Sequence, residues 1–248
     1  MNLIEHALQE RLETIADTEQ VITLRPAALE QPDHSDRAVT LSDLASDLRS
    51  RFLKSGWNGD LDEAIFLHRS ALDLRPEGHS HRSDSLHDLA ICLGDRYDEQ
   101  GSMTDLEEAI ALGRAALDLR PPGHPGRAAT LFNLADDLRT RFPRDDENAD
   151  LNEAISLHRS ALDLGLEGYP HRSDLLHSLA LCLSNRYDKE GSIADLEEAI
   201  ALGQAALKLS PLDHPGRAAT LYNLAHDRRR KFLKVGGISG RRNTGCKA

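Results

Sequence analysis

Apolar residues recur along this chain of 248 residues at the spacing of helices. One stretch carries Leu86, Leu89, Ala90, Leu93 and Tyr97, the i, i+3, i+4, i+7, i+11 series that lines one face of a helix. A second carries Leu106, Ala109, Ile110, Leu112, Ala116 and Leu117 with the same periodicity and polar residues between. No segment shows the strict apolar–polar alternation of a half-buried strand. The pattern predicts an all-α chain made of pairs of amphipathic helices.

The pairs repeat every 45 residues. Leu61, Leu106, Leu151 and Leu196 each open an "LxEAI" segment, and Arg37, Arg82, Arg127, Arg172 and Arg217 each follow a turn. A Leu-Ala pair recurs at Leu44, Leu89, Leu134, Leu179 and Leu224, with no gap anywhere. Residues 61–105 match 151–195 at 30 of 45 positions but match 106–150 at only 21. The array therefore alternates, as if a pair of repeats had been duplicated.

Helix boundaries are written locally. Asp60/Glu63, Asp105/Glu108, Asp150/Glu153 and Asp195/Glu198 have the spacing of a capping box, which predicts Asp as the N-cap of each second helix. "RPEGH", "RPPGH" and "SPLDH" supply the residues that stop it. Pro125, Pro170 and Pro215 suit the first turn of the next helix, where a missing N–H costs nothing. One helix pair cannot bury its apolar stripe alone, so successive repeats must stack.

This pattern resembles the tetratricopeptide repeat, whose 34-residue helix-turn-helix unit reads W-x2-L-G-x2-Y…A-x3-F…P. Leu86, Leu89, Ala90 and Leu93 match the first helix with leucines for aromatics, and Ala109, Ala116 and Pro121 match the second. Seven extra residues in the inner turn and four between units lengthen 34 to 45. The family's second-helix aromatic is replaced by His68, Gly113, His158 and Gly203, so packing there must differ. The resemblance covers residues 16–235 and implies a right-handed α-solenoid of stacked helix-turn-helix repeats. Residues 1–15 read as an N-terminal helix or partial repeat, and 236–248 as a basic disordered tail. The long units also look like arrays that precede CHAT-type protease domains in large fungal proteins and, more distantly, like kinesin light chain repeats.

Charge narrows the partners. The net charge of -11 disfavours nucleic acid and anionic lipid, which need a basic surface. Residues 228–247 hold eight Lys or Arg and no acid, leaving 22 basic against 41 acidic groups elsewhere, a net of -19. No run approaches the ~20 apolar residues of a membrane span, and the N-terminus lacks the pattern of a signal peptide. Cys92, Cys182 and Cys246 form no CxxC pair, which points to a reducing compartment and a cytoplasmic chain.

Candidate chemistry is sparse. The column His34, His79, His124 and His214 is broken by Tyr169, and its members stand one repeat apart, too far to converge on a metal. These residues read as turn closures. Cys92 and Cys182 sit on the apolar side of the first helix as small buried thiols. No phosphate-binding loop is present. The Arg37–Arg217 column suggests an inter-repeat ion pair with Asp73, Asp118 and Asp163. Neither a catalytic constellation nor a cofactor site is expected.

The expected function is a non-catalytic scaffold that holds a protein or peptide in the concave groove of the solenoid. The alternative is a sensor or regulatory fragment of a larger signalling protein, of CHAT protease or NTPase type. The residue after the leading Leu of each first helix should face the groove: Ser42, His87, Phe132, His177 and Tyr222. Beside these run Asn133 and Asn223, suited to bonding a peptide backbone. The predicted contact set is His87, Phe132, Asn133, His177, Tyr222 and Asn223. The last helix carries Leu221, Leu224 and Phe232 with no second helix after it, so self-association is expected there.

Overall fold

The computed structural model describes residues 34–145, 148–164 and 171–242. Among them are nine helices and no strand: α1 (His34–Ser55), α2 (Asn58–Asp73), α3 (Arg82–Gln100), α4 (Met103–Asp118), α5 (Arg127–Asp145), α6 (Asn148–Asp163), α7 (Arg172–Glu190), α8 (Ile193–Leu209) and α9 (Arg217–Arg242). The all-α class follows from the periodicity, and odd- and even-numbered helices are the first and second members of each repeat. The chain divides into two compact units, Met1–Gly126 and Arg127–Ala248.

In unit 1, α1 pairs with α2 and α3 with α4, while α2 packs on α3. Its core joins Leu41, Leu44 and Leu48 of α1, Leu61, Ile65 and Leu67 of α2, and Leu89 and Leu93 of α3. Each such leucine contributes about 1.5–3 kcal/mol on burial, against the entropy of ordering it. Unit 2 repeats the scheme: α5 with α6, α7 with α8, and α9 against α8. Leu131, Leu134 and Leu138 of α5 and Leu151 and Ile155 of α6 are buried there in the same register. Within each unit, one helix pair is thus completed by its neighbour.

The turns confirm part of the local reading. His79, His124 and His214 donate backbone N–H groups to Pro76, Pro121 and Pro211 carbonyls at 3.0–3.2 Å. Their Nδ1 atoms accept from the N–H two residues on, at His81, Gly126 and Gly216. These three histidines therefore close inter-repeat turns, whereas His34 is the first residue of α1. The inner turns end on Gly101 and Gly191, at φ 70° and 71°, where a side chain would strain the backbone. Their N–H groups reach Tyr97 and Tyr187 carbonyls at 2.7 Å.

Two local expectations are corrected. Asp60, Asp105 and Asp195 are not N-caps: the caps are Trp57, Ser102 and Ser192, and each Asp is the third helical residue. Each Asp instead receives a two-pronged bond from an Arg nine residues earlier on the first helix. The pairs are Arg51–Asp60, Arg96–Asp105, Arg141–Asp150 and Arg186–Asp195, the last three at 2.7–2.8 Å. The fork of a guanidinium matches a carboxylate and fixes the crossing of the two helices.

The second correction concerns the Arg37–Arg217 column. Arg82 donates to the Arg75 carbonyl at 2.6 Å, and Arg217 to the Leu207 and Ser210 carbonyls at 2.8 and 2.9 Å. The last carbonyls of a helix lack intrahelical partners and attract a cation. Asp73, by contrast, is exposed.

The chain ends differ too. Residues 1–33, including the expected partial repeat, lie outside the described residues. Helix α9 runs to Arg242, into the segment expected as a tail, and 243–248 lie outside the described residues.

Candidate protein-binding face

The predicted contact residues stand on the first helices of the repeats, and the two units differ in what they show. In unit 2, Phe132 on α5 is half-buried and packs its ring against His158 of α6, centroids 5.8 Å apart. His158 is fully buried in the column where the alternate repeats have glycine. Phe132 is thus partly a core residue. Asn133 beside it is half-buried.

His177 on α7 is half-buried, and its Nδ1 lies 3.1 Å from Thr220 Oγ1 on α9. Burial is the main cause holding its imidazole below the ordinary range. Asn223 and His177 both line a crevice of about 10 Å³ floored by Gly203 and Leu224. That volume admits one water at most and no substrate.

Tyr222 on α9 is different: it is 73% exposed, and its ring stacks on His226 one turn on, at 6.4 Å and 5° between planes. The i, i+4 spacing on a helix brings the two rings together. They form a flat aromatic ledge open to solvent.

In unit 1, His87 on α3 is 9% exposed and sits inside the stack instead of on an open groove. Burial first, then Arg120 nearby, lowers its imidazole to about 4, so it is neutral. Its neighbour Asp88 is half-buried, and burial followed by Asp84 raises its carboxyl to about 6.

Among the described residues no cluster of three or more His, Cys, Asp or Glu side chains is arranged to hold a metal. Cys92 and Cys182 are buried, and burial pushes both thiols up to about 12, which leaves them unreactive at neutral pH. No described helix is long and apolar enough to cross a membrane.

Residues 82–126 and 173–216 match the tetratricopeptide repeat family. Those two segments are tetratricopeptide repeats. The two matched segments are 90 residues apart in register and correspond to the similar members of the alternating array. Solved structures with the same fold include a Podosopora anserina protein assigned as a kinesin light chain with nearly identical TPR-like repeats. That structure has 22% identity and a TM-score of 0.55, with 86% of this chain and 93% of that one covered. BtubC (BKLC) from P. vanneervenii has 19% identity and a TM-score of 0.57, with 96% of this chain and 93% of that one covered. At such identities the likeness establishes the helical-repeat fold. Among curated proteins none matches the chain.

Sequence reasoning missed two features of this tetratricopeptide-like array. The Arg–Asp locks were legible as an Arg column (51, 96, 141, 186) nine residues before the Asp column, both at the repeat period. Buried arginines at the end of the second helices, Arg75 and Arg120, occur in only two repeats and carry no such periodic signal.

Proposed function

We propose that the chain is a non-catalytic scaffold that holds a partner protein or peptide on the first-helix face of unit 2. The observation that carries this reading is the Tyr222–His226 ledge, exposed on a rigid repeat helix with Asn223 beside it. Aromatic side chains provide large contact area at low entropy cost and often anchor interfaces. Asn133, Asn223 and His177 supply hydrogen-bonding groups of the kind a peptide backbone needs, and Phe132 offers a ring edge. His87 contributes packing in this reading, not contact. The chain performs no chemistry of its own and works in the cytoplasm, where Cys92 and Cys182 remain thiols.

A photo-reactive amino acid placed at Tyr222 should cross-link a defined partner in an extract of the source cells, and one placed at Ala201, exposed on α8, should not. Tyr222→Ala should then abolish capture while shifting stability by no more than about 0.5 kcal/mol, the cost of an exposed substitution. Equal cross-linking from both positions, or capture undiminished by Tyr222→Ala, would refute the assignment.

A further inference from the structure

Unit 1 contains two buried arginines at equivalent positions one repeat apart, and they are satisfied differently. Arg120, at the end of α4, directs Nη2 onto Asp84 Oδ1 at 2.6 Å and Nη1 onto the Gly126 carbonyl at 3.0 Å. Arg75, at the end of α2, is 5% exposed, and its Nη1 reaches only hydroxyls: Ser42 Oγ at 3.1 Å and Ser85 Oγ at 2.6 Å. Its Nη2 makes no bond, whereas that of Arg120 is held by Asp84. No carboxylate among the described residues lies within ion-pair distance of it; Asp88 is near enough to feel its charge but not to bond it.

The cause is one substitution in the repeat. The position that holds Asp84 opposite Arg120 is occupied, 45 residues earlier, by Val39. A buried cation with unmatched donors is costly, and two hydroxyls do not offset its charge. What this repeat lacks relative to its neighbour is a carboxylate opposite Nη2. Access is open from the same side as in the neighbouring repeat. Asp84 reaches Arg120 with its own side chain 45% exposed, and Val39 is likewise 45% exposed.

We propose that Arg75 is a receptor for a single carboxylate, an Asp or Glu side chain of a bound protein, which approaches over Val39 and takes the place that Asp84 holds at Arg120. Ser42, half-buried between them, offers a hydroxyl to the second carboxylate oxygen. One acid is favoured over a polyacidic run because the chain is itself strongly acidic, with a net charge of -11. This site lies in unit 1 and does not depend on the Tyr222 ledge of unit 2, so either can fail without the other.

The test uses the full chain with arginine side-chain Nε–H resonances followed by NMR. The probes are a capped pentapeptide with one central Glu among alanines and its Gln twin. The Arg75 resonance should move saturably with the Glu peptide, and the Gln peptide should bind about ten-fold more weakly or worse, the worth of one charge-assisted bond. Val39→Asp builds the missing carboxylate into the chain. It should abolish the titration and raise the melting temperature, whereas Arg75→Gln should abolish binding alone if it folds. Indistinguishable Glu and Gln peptides would overturn the proposal, as would binding that survives Val39→Asp. Absence of binding with an unshifted melting temperature in Val39→Asp would overturn it too.

Discussion

Asp105 illustrates how one residue can obey a local rule in sequence and a different one in the fold. Its spacing to Glu108 is that of a capping box, yet it stands at the third position of α4 and binds both prongs of Arg96 at 2.7 and 2.8 Å. That bond, ahead of any other influence, holds its carboxyl below the ordinary range. Arg96 also reaches Asp62 of the preceding repeat at 3.0 Å, so one guanidinium ties a hairpin to its neighbour. Asn is as good an N-cap as Asp, whereas it cannot replace a carboxylate under a guanidinium. Asp105→Asn should therefore lower stability by about 1.5–3 kcal/mol, the range for hydrogen bonds to charged groups. Urea unfolding of the two single variants and of Arg96→Gln/Asp105→Asn checks this through the coupling energy. A midpoint unmoved by Asp105→Asn would restore the capping role.

At the scale of the element, the first helices share one pattern but not one environment. Leu176 and Leu183 of α7 are buried beneath α8, while their equivalents on α9 are Leu221, 49% exposed, and Arg228, which is exposed. Phe142 of α5 is buried, and its counterpart Phe232 is 74% exposed. Among the described residues no second helix covers α9. Lys231, which stands in the column of the lock arginines, turns back to Glu197 on α8 at 2.7 Å. Such an apolar strip favours self-association, since its burial is worth about 25 cal/mol per Å². Light scattering over a wide concentration range should show a growing dimer population, and Leu221→Ser/Phe232→Ser should return the chain to monomer with its melting temperature nearly unchanged. A wild-type chain that is monomeric throughout would dismiss this reading of α9.

At the scale of the whole molecule, both units bury imidazoles. Burial is the largest cause lowering His68, His87 and His158 to about 4. His158 has no hydrogen bond on either nitrogen, although Asp136 Oδ1 stands 3.9 Å away. Unfolded histidine titrates near 6.5, so below that pH the unfolded chain takes up protons that the native chain refuses until about 4. Stability is accordingly full above about pH 6.5 and falls as the pH drops toward 4, by up to about 1.4 kcal/mol per pH unit for each such group. Asp88, raised to about 6, acts in the opposite sense between about pH 6 and 4 and offsets one of them. Urea midpoints measured from pH 8 to 4 should be level at first and then decline. His158→Phe should flatten the decline by one group's share. Equal midpoints at pH 7 and 5 would contradict this account.

What the amino-acid sequence determined by itself is the all-α class, the 45-residue period, the helix pairing and the turn role of the histidine column. Each of these rests on information local to one repeat: apolar spacing along a helix, and the residues that stop and start it. Which groups meet across the stack was decided only by tertiary structure. The position after the leading leucine is one column in sequence, yet His87 there is 9% exposed and Tyr222 is 73% exposed. The difference comes from what the neighbouring helices cover, not from the residue itself. In the same way Arg75 and Arg120 both lie in the same segment, ALDLRP, and the side chain presented by the adjoining first helix, Val39 or Asp84, leaves one guanidinium without a carboxylate and gives the other its partner.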